Sequence, residues 1–183
     1  MIAVTRPRIA PGGFFELGPI NWLLCRVISR VAGTPDAHLF STLGRQRRLF
    51  RGWLLFAARM MPGGTLCRQE TELVILRVAH LRQCQYELDH HRRIGGRRGL
   101  SAEVVARALV GPDADGWSDR QRALLSAVDS MIRSRNIDDV AWAALRAHYG
   151  DAQLVELCLL IGHYDMLAAT IATLRIARDA RTA

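Results

Sequence analysis

Eight consecutive residues, Cys84 to His91, carry one thiol, one phenol, two carboxylates and two imidazoles. In a helix, which turns by about 100° per residue, side chains three and four positions apart lie on the same face. Four reactive residues in and just before this stretch follow that spacing: His80, Cys84, Glu87 and His91. The pattern predicts one helix from Thr71 to Arg93 with these four groups on one side. Tyr86, Asp89 and His90 are expected to point elsewhere.

The pair Glu87 and His91, one helical turn apart, suits proton transfer. Apolar residues border the predicted polar face, namely Leu73, Leu76, Leu81 and Leu88. Burial beside such residues shifts the pKa of a carboxyl or imidazole group, which is how proteins tune a group for acid–base catalysis. Glu72 lies further upstream and joins the set if the helix bends or breaks near Arg82 and Gln83.

The thiol of Cys84 allows a second chemistry. It would be a peroxidatic group if an imidazole, from His91 or His80, lowered its pKa. The neighbouring carboxylate of Glu87 has the opposite effect on a thiol, because negative charge disfavours the thiolate. The sequence therefore favours Cys84 as a small buried hydrophobic residue, the commoner role of a single cysteine.

A metal site is the third interpretation of the same residues. His80, Cys84 and His91 offer three zinc ligands on one helical face, but Glu87 would then lie among the ligands. Glu87 and His90 form half of a di-iron motif, and the chain contains no second Glu-x-x-His. We therefore expect neither a metal nor an organic cofactor.

The elements that position these residues are predicted to be helices throughout. Apolar residues recur at three and four positions, Gly33 stands where a helix would end, and Ser118 with Gln121 forms a capping box. The last helix, from Asp151, is apolar nearly all round and interrupted by Glu156, His163 and Asp165. It is typical of a core or subunit-interface helix rather than a membrane span. With no strand pattern, the fold class is all-α.

Composition narrows the function classes. The chain has 183 residues and a formal charge of +8, and all 25 basic residues are arginines scattered along it. No aromatic platform accompanies them, so nucleic-acid binding is not expected. The four cysteines, Cys25, Cys67, Cys84 and Cys158, are widely separated. This pattern indicates reduced thiols, and together with the lack of a signal-peptide pattern it favours a cytoplasmic protein that does not bind membranes.

The segment ETELVILRVAHLRQCQYELDHHRRIGGRRGLS, residues 70–101, resembles the core motif of the carboxymuconolactone decarboxylase and alkylhydroperoxidase D superfamily. That motif has a Glu opening an apolar helix, a Cys or small residue twelve positions on, then Tyr-Glu-Trp, and a His seven residues after the first Cys. Five residues match in type and spacing: Glu72, Cys84, Tyr86, Glu87 and His91. Flanking segments extend the resemblance over roughly residues 35–178.

The resemblance implies a compact single-domain helical bundle with the motif on a central helix pair. We expect this domain over residues 35–178, an N-terminal arm and helix over 1–34, and a tail over 179–183. It also implies a homo-oligomer, a trimer or hexamer. Two departures stand out: Glu87 occupies the place of the second cysteine of the peroxidase branch, so a disulfide cannot form within the motif, and Leu88 replaces a frequent Trp.

By resemblance, the decarboxylase branch carries out cofactor-free acid–base chemistry, a decarboxylation or isomerisation, on a small carboxylate or lactone. The acid–base set would be Glu72, Glu87 and His91, with Cys84 and Tyr86 completing the candidate catalytic residues. Three further residues are candidates for lining the pocket: His80, Arg77 and Arg92. Either arginine could bind a carboxylate of the substrate. Two alternatives stay open: a thiol peroxidase of the alkylhydroperoxidase type, with peroxiredoxin activity at Cys84, and a non-catalytic binding protein on the same fold.

Overall fold

The computed structural model describes residues 6–180, and all regular secondary structure in that range is helical. The helices are α1 (Phe14–Ala32), α2 (His38–Leu43), α3 (Arg47–Met60), α4 (Arg68–Leu81), α5 (Gln85–Arg97), α6 (Ala102–Val110), α7 (Asp119–Ser134), α8 (Asp139–Arg146) and α9 (Asp151–Leu174). The all-α prediction is confirmed. The predicted arm and tail include residues 1–5 and 181–183, which lie outside the described range.

The chain divides into two compact units. One comprises the chain up to Arg59 together with the part from Thr170 onward, and the other runs from Met60 to Ala169. In the second unit, α4 packs against α5, α6 and α7, and α7 packs against α8. The motif therefore lies on a central helix pair, α4 and α5, as predicted.

In the first unit, α1 is shaped by two glycines. Gly18 has a positive φ of 71° just before Pro19 and bends the helix, and Gly33 ends it with a left-handed φ of 69°. The N–H of Gly33 donates to the carbonyl of Arg30, which satisfies an end carbonyl of the helix. The helix end predicted at Gly33 is confirmed.

In the second unit, α4 is a core helix. Its central residues are wholly buried: Leu73, Val74, Ile75, Leu76 and Val78. The buried guanidinium of Arg77 on this helix donates to both carboxylate oxygens of Asp129 on α7, at 2.6 and 2.7 Å, and to the carbonyl of Leu109 at 2.6 Å. This ion pair joins α4 to α6 and α7 in the interior.

The single helix predicted from Thr71 to Arg93 is wrong, because the chain breaks between α4 and α5. Gln83 adopts a left-handed φ of 53°. The N–H of Gln83 then donates to the carbonyl of His80, and that of Cys84 to the carbonyl of Ala79, at 3.0 and 2.8 Å. This pair of bonds is a Schellman motif, which usually has glycine at the left-handed position. The break folds α5 back along α4.

The final helix, α9, is the one helix of the described chain that is long and apolar enough to cross a membrane by length and composition. Several of its residues are nevertheless packed in the interior: Leu154, Leu157, Leu160 and Ile161. Other apolar residues of α9 are exposed, namely Val155, Leu159 and Met166. The helix therefore supplies core residues, as predicted, and also presents an apolar face.

Candidate functional site

Two helices bring together a buried cluster of two carboxylates and one imidazole. Glu72 lies on α4, and Glu87 and His91 lie on α5. Glu72 Oε2 is 2.8 Å from Nδ1 of His91, and Glu87 Oε2 is 3.3 Å from Nε2 of the same ring. The three residues are only 3 to 4% exposed. The break near Gln83 is thus what allows Glu72 to join the set.

The two carboxylates determine the charge of His91. Burial alone lowers the pKa of this imidazole, but the hydrogen bonds and charges of Glu72 and Glu87 act more strongly and raise the pKa to about 9. His91 is therefore an imidazolium at neutral pH, with both ring N–H groups donating to carboxylates. With both carboxylates ionised, the cluster carries one net negative charge.

Glu87 has one buried oxygen that is not paired. Its Oε1 is buried and has no hydrogen-bond partner among the described residues. A buried polar atom without a partner costs on the order of 1–3 kcal/mol, so packing alone does not favour it. The unpartnered oxygen marks Glu87 as the member of the cluster that can interact with a bound molecule.

Cys84 is the residue immediately before α5, and it is buried. Burial raises the pKa of its thiol to about 11, and the charge of Glu87 adds to this effect. The backbone N–H groups of Glu87 and Tyr86 act in the opposite direction. The net shift keeps the thiol protonated at neutral pH, which favours the interpretation of Cys84 as a small buried residue over a thiolate.

Tyr86 and His90 form a separate aromatic pair on α5. Their rings stack with centroids 4.7 Å apart and an interplanar angle of 24°, and both residues are buried. This stack directs Tyr86 towards His90, in line with the expectation that both point away from the face of Glu87 and His91. The catalytic role implied for Tyr86 by resemblance stays a prediction.

The structure corrects the position of His80. His80 is exposed and lies on α4, before the break, so the prediction that it shares a helical face with Cys84 and Glu87 is wrong. The same break separates it from the other two residues of the zinc hypothesis. Arg77 is paired with Asp129 in the interior, and its assignment to a substrate carboxylate stays a prediction. Arg92 is exposed and stays a candidate.

Two aromatic residues of α9 complete the surroundings of the cluster, and sequence reasoning missed their place there. Tyr164 contacts His91 edge-on, with ring centroids 5.1 Å apart at 89°, and His163 meets Tyr164 in the same way at 5.4 Å. Both are buried. Burial, followed by the charges of Glu87 and Glu72, raises the pKa of Tyr164 well above its usual value. The sequence did contain a sign of this placement, because His163 and Tyr164 are polar aromatic residues within an otherwise apolar helix.

Comparisons with known proteins agree with this architecture. Residues 47–130 match the model of the carboxymuconolactone decarboxylase family. The uncharacterized protein YdfG of Bacillus subtilis is 25% identical over 100 residues, which are 54% of this chain and 68% of that protein.

Solved structures share the fold over nearly the whole chain. The alkylhydroperoxidase AhpD core protein of Ralstonia eutropha has a TM-score of 0.78 at 21% identity, covering 95% of this chain and 94% of its own. A peroxidase-related protein of Silicibacter has a TM-score of 0.80 at 14% identity, covering 96% and 95%. The debrominase Bmp8 has a TM-score of 0.79 at 15% identity, covering 94% and 92%.

The fold is therefore that of the alkylhydroperoxidase D-like helical proteins. The family match covers residues 47–130, which include the segment at residues 70–101 that resembles the superfamily motif. One of the proteins that share this fold, Bmp8, is a debrominase.

Proposed function

We propose that the protein is a cofactor-free enzyme that transfers a proton on a small carboxylate or lactone, in a decarboxylation or an isomerisation. The observation that carries the proposal is the asymmetric state of Glu87. One of its oxygens is 3.3 Å from the His91 imidazolium, and the other is buried with no partner within residues 6–180. A carboxylate held in this way is oriented by one oxygen and reacts with the other.

The three residues of the cluster take different roles in this proposal. Glu87 removes a proton from the substrate and returns it to another atom. His91 holds Glu87 in place and balances its charge, and Glu72 orients the imidazole through Nδ1 at 2.8 Å. Only Glu87 contacts the reacting atoms, whereas His91 and Glu72 are positioning residues.

The charges around the cluster favour a neutral lactone over a substrate with several carboxylates. The cluster is negative when both glutamates are ionised, and the interior arginine nearest in sequence, Arg77, is committed to Asp129. A polyanionic substrate would be repelled by Glu72 and Glu87 in a buried setting, where the effective dielectric constant is low. Arg92 is the remaining candidate for binding a single carboxylate.

Proton exchange on a simple lactone tests the proposal. In D2O, α-angelica lactone exchanges the proton next to its carbonyl and isomerises to the conjugated lactone, and proton NMR follows both changes. We expect the wild type to accelerate these steps over buffer and Glu87→Gln to lower the rate by about 10²- to 10⁴-fold. A wild type with no effect on the lactone, or a fully active Glu87→Gln, contradicts the proposal.

Asp89→Asn is the matched control for that experiment. Asp89 lies two residues from Glu87 on the same helix, is partly exposed and accepts a hydrogen bond from Gln85 at 2.8 Å. The substitution removes one carboxylate charge from α5 without touching the His91 cluster. Its rate should stay close to that of the wild type.

Thiol chemistry at Cys84 is the second candidate. The observation in its favour is that two backbone N–H groups at the start of α5 stabilise a thiolate there. A variant of the debrominase with one cysteine replaced by alanine was solved with 2,3,4-tribromopyrrole, on the same fold. In a peroxidase, the Cys84 thiolate would attack a peroxide, become a sulfenic acid and release the alcohol or water.

Peroxide treatment followed by dimedone trapping and mass spectrometry separates the two candidates. Acid–base chemistry predicts no adduct on Cys84 of the native protein at pH 7 and full lactone exchange by Cys84→Ala. A rapid adduct on Cys84 with loss of lactone exchange in Cys84→Ala would favour the thiol enzyme. If Glu87→Gln and His91→Gln both gain stability without any change in ligand binding, the non-catalytic binding protein is favoured.

We also propose that the chain binds further copies of itself. Four exposed apolar residues of α1 follow a spacing of three, four and four: Ile20, Leu23, Val27 and Val31. Such a stripe on one helix can pack against the same stripe of a second copy. Light scattering after size exclusion should show an oligomer that Leu23→Asp dissociates, whereas Val140→Asp, at an exposed valine of α8, should not. A monomeric wild type would contradict this.

A further inference from the structure

Two buried side chains that contact His91 carry polar atoms of opposite kinds. Glu87 Oε1 is an acceptor when the carboxylate is ionised, and it has no partner in the described part of the chain. Tyr164 is 7% exposed, and its hydroxyl forms no hydrogen bond with the residues that the structure describes. The two groups come from different helices, α5 and α9, and both side chains contact the same imidazole.

Packing against His91 requires only the ring of Tyr164, and a phenylalanine would provide that ring without a hydroxyl. The hydroxyl does not donate to Glu87 Oε1, which has no partner among the described residues. A donor and an acceptor on side chains that contact one ring are what a ligand with an oxygen atom and a transferable hydrogen requires.

We propose that Tyr164 and Glu87 together recognise an enolisable carbonyl compound, with the Tyr164 hydroxyl donating to the carbonyl oxygen and Glu87 accepting the proton of the adjacent carbon. This inference rests on the proposed function and names the substrate class of the same site. Tyr164 becomes a catalytic residue that the motif at residues 70–101 does not contain.

The step balances without any further reactant. The C–H bond next to the carbonyl breaks, its proton goes to Glu87, and the electron pair moves onto the carbonyl oxygen as an enolate. Tyr164 keeps its own proton and strengthens its hydrogen bond as negative charge develops on that oxygen. Glu87 then returns the proton to a conjugated carbon, and the product is an isomer of the substrate.

The surroundings of Tyr164 suit a donor rather than a base. Burial and the charges of Glu87 and Glu72 keep the pKa of the phenol high, so it stays protonated at neutral pH. The edge-on contact with His91 fixes the direction of the ring. A protonated, oriented hydroxyl that has not been neutralised by a protein acceptor stabilises an oxyanion in the way that an oxyanion hole does.

Removing only the hydroxyl tests the catalytic part of the proposal. Tyr164→Phe keeps the ring against His91, so we expect lactone isomerisation by this variant to lose about 10²- to 10³-fold in kcat, with a KM raised only about three- to tenfold by loss of one hydrogen bond. Tyr149→Phe is the control, because Tyr149 is also buried but donates to Glu70 at 2.8 Å. Its kcat should not change. Equal kcat values for wild type and Tyr164→Phe overturn the inference.

Binding of 2-pyrone separates this inference from the proposed function. This lactone has a carbonyl oxygen but no acidic hydrogen on a saturated carbon, so it binds without being turned over. We expect Tyr164→Phe to weaken 2-pyrone binding about three- to tenfold, the effect of one hydrogen bond, and Glu87→Gln to leave it within about twofold. Binding that is unaffected by Tyr164→Phe overturns the inference.

The two sets of results have distinct meanings. Lactone turnover that does not depend on the Tyr164 hydroxyl leaves the proposed function standing and removes this inference. Tyr164-dependent binding of 2-pyrone without lactone turnover removes the proposed function and leaves only the carbonyl-binding part of this inference. The wild type alone gives a further measurement, because the chain has only three tyrosines. In protein with labelled tyrosine rings, 2-pyrone should shift the Tyr164 signals and not those of Tyr149, and the opposite pattern would contradict the proposal.

Discussion

Two buried groups of charged residues are anchored on α4, and they differ in how completely their polar atoms are paired. In the first, Arg77 binds both oxygens of Asp129 and the carbonyl of Leu109 at 2.6 to 2.7 Å. In the second, Glu72 and Glu87 hold the His91 ring between them, and Oε1 of Glu87 has no partner among residues 6–180.

The difference separates a structural cluster from a candidate active site. The Arg77 ion pair links α4 to α6 and α7. Its buried guanidinium already donates to both oxygens of Asp129 and to the carbonyl of Leu109, so it is not available to a ligand. The His91 cluster lies equally deep but keeps one acceptor unpaired, and the ring of Tyr164 contacts His91. Burial and charge are alike in the two clusters, so incomplete pairing is the feature on which the proposed active site depends.

The largest expected effect on stability comes from breaking the fully paired cluster of Arg77 and Asp129. Asp129→Ala leaves the Arg77 guanidinium buried without a counter-charge, and we expect the free energy of unfolding to fall by about 3–5 kcal/mol. Urea unfolding at pH 7 measures this. Replacing both partners, in Arg77→Met with Asp129→Leu, should recover much of the loss. A loss below about 1 kcal/mol in Asp129→Ala would show that the pair is not structural.

The next effect concerns how the free energy of unfolding depends on pH through the His91 cluster. The pKa of His91 is about 9 in the folded protein and about 6.5 when unfolded. The stabilisation from the imidazolium is therefore fully present below pH 6.5 and is lost as the pH rises to 9. This loss is on the order of 3 kcal/mol. Urea unfolding at pH 6.5 and 9 measures it, and His91→Gln should remove this slope. Equal slopes in both proteins would contradict the assignment.

A smaller effect is expected when Glu87 loses its charge. Glu87→Gln weakens the interaction with His91 but also removes a buried carboxylate oxygen without a partner, so the two changes in stability oppose each other. We expect a change within about 1 kcal/mol by urea unfolding at pH 7, far below that of Asp129→Ala. A loss as large as that of Asp129→Ala would indicate that both clusters serve only the fold.

The smallest expected effect comes from a second arginine that binds the same carboxylate as Arg77. Asp129 also pairs with Arg133 at 2.9 Å, and that arginine side chain is 68% exposed whereas Arg77 is 4% exposed. Solvent screens the exposed pair, so Arg133→Ala should cost less than about 1 kcal/mol. The contrast between the two arginines, measured in one series of unfolding curves, isolates the contribution of burial.

The sequence was sufficient to predict the helices and the resemblance to the family whose model matches residues 47–130. The ends at Gly33 and Ser118 depend on local chemistry, a left-handed glycine and a capping box, and both are present in the structure. The break at Gln83 was only an alternative, because glutamine carries no signal for a positive φ. Its conformation depends on how α5 packs on α4, which helical periodicity does not report.

The site residues also fall into two groups: those that local spacing places together and those that only the tertiary fold brings into contact. Glu87 and His91 are one turn apart, so spacing alone places them together. The partner of Arg77 lies 52 residues away at Asp129, and no local pattern shows that this arginine is already bound. Tyr164 reaches His91 from α9, and only the tertiary fold brings these two rings into contact. Long-range neighbours were thus the part that sequence patterns did not reveal.

The three-residue link between α4 and α5 has a consequence for how such sites can diverge. Because Glu72 and His91 stand 19 positions apart yet meet at 2.8 Å, the length of the link sets the rotational phase of one helix against the other. One inserted or deleted residue between Leu81 and Gln85 would change the path of this link and the placement of His91 relative to Glu72. The number of residues in the link is therefore as much a part of the cluster as the identity of its charged side chains.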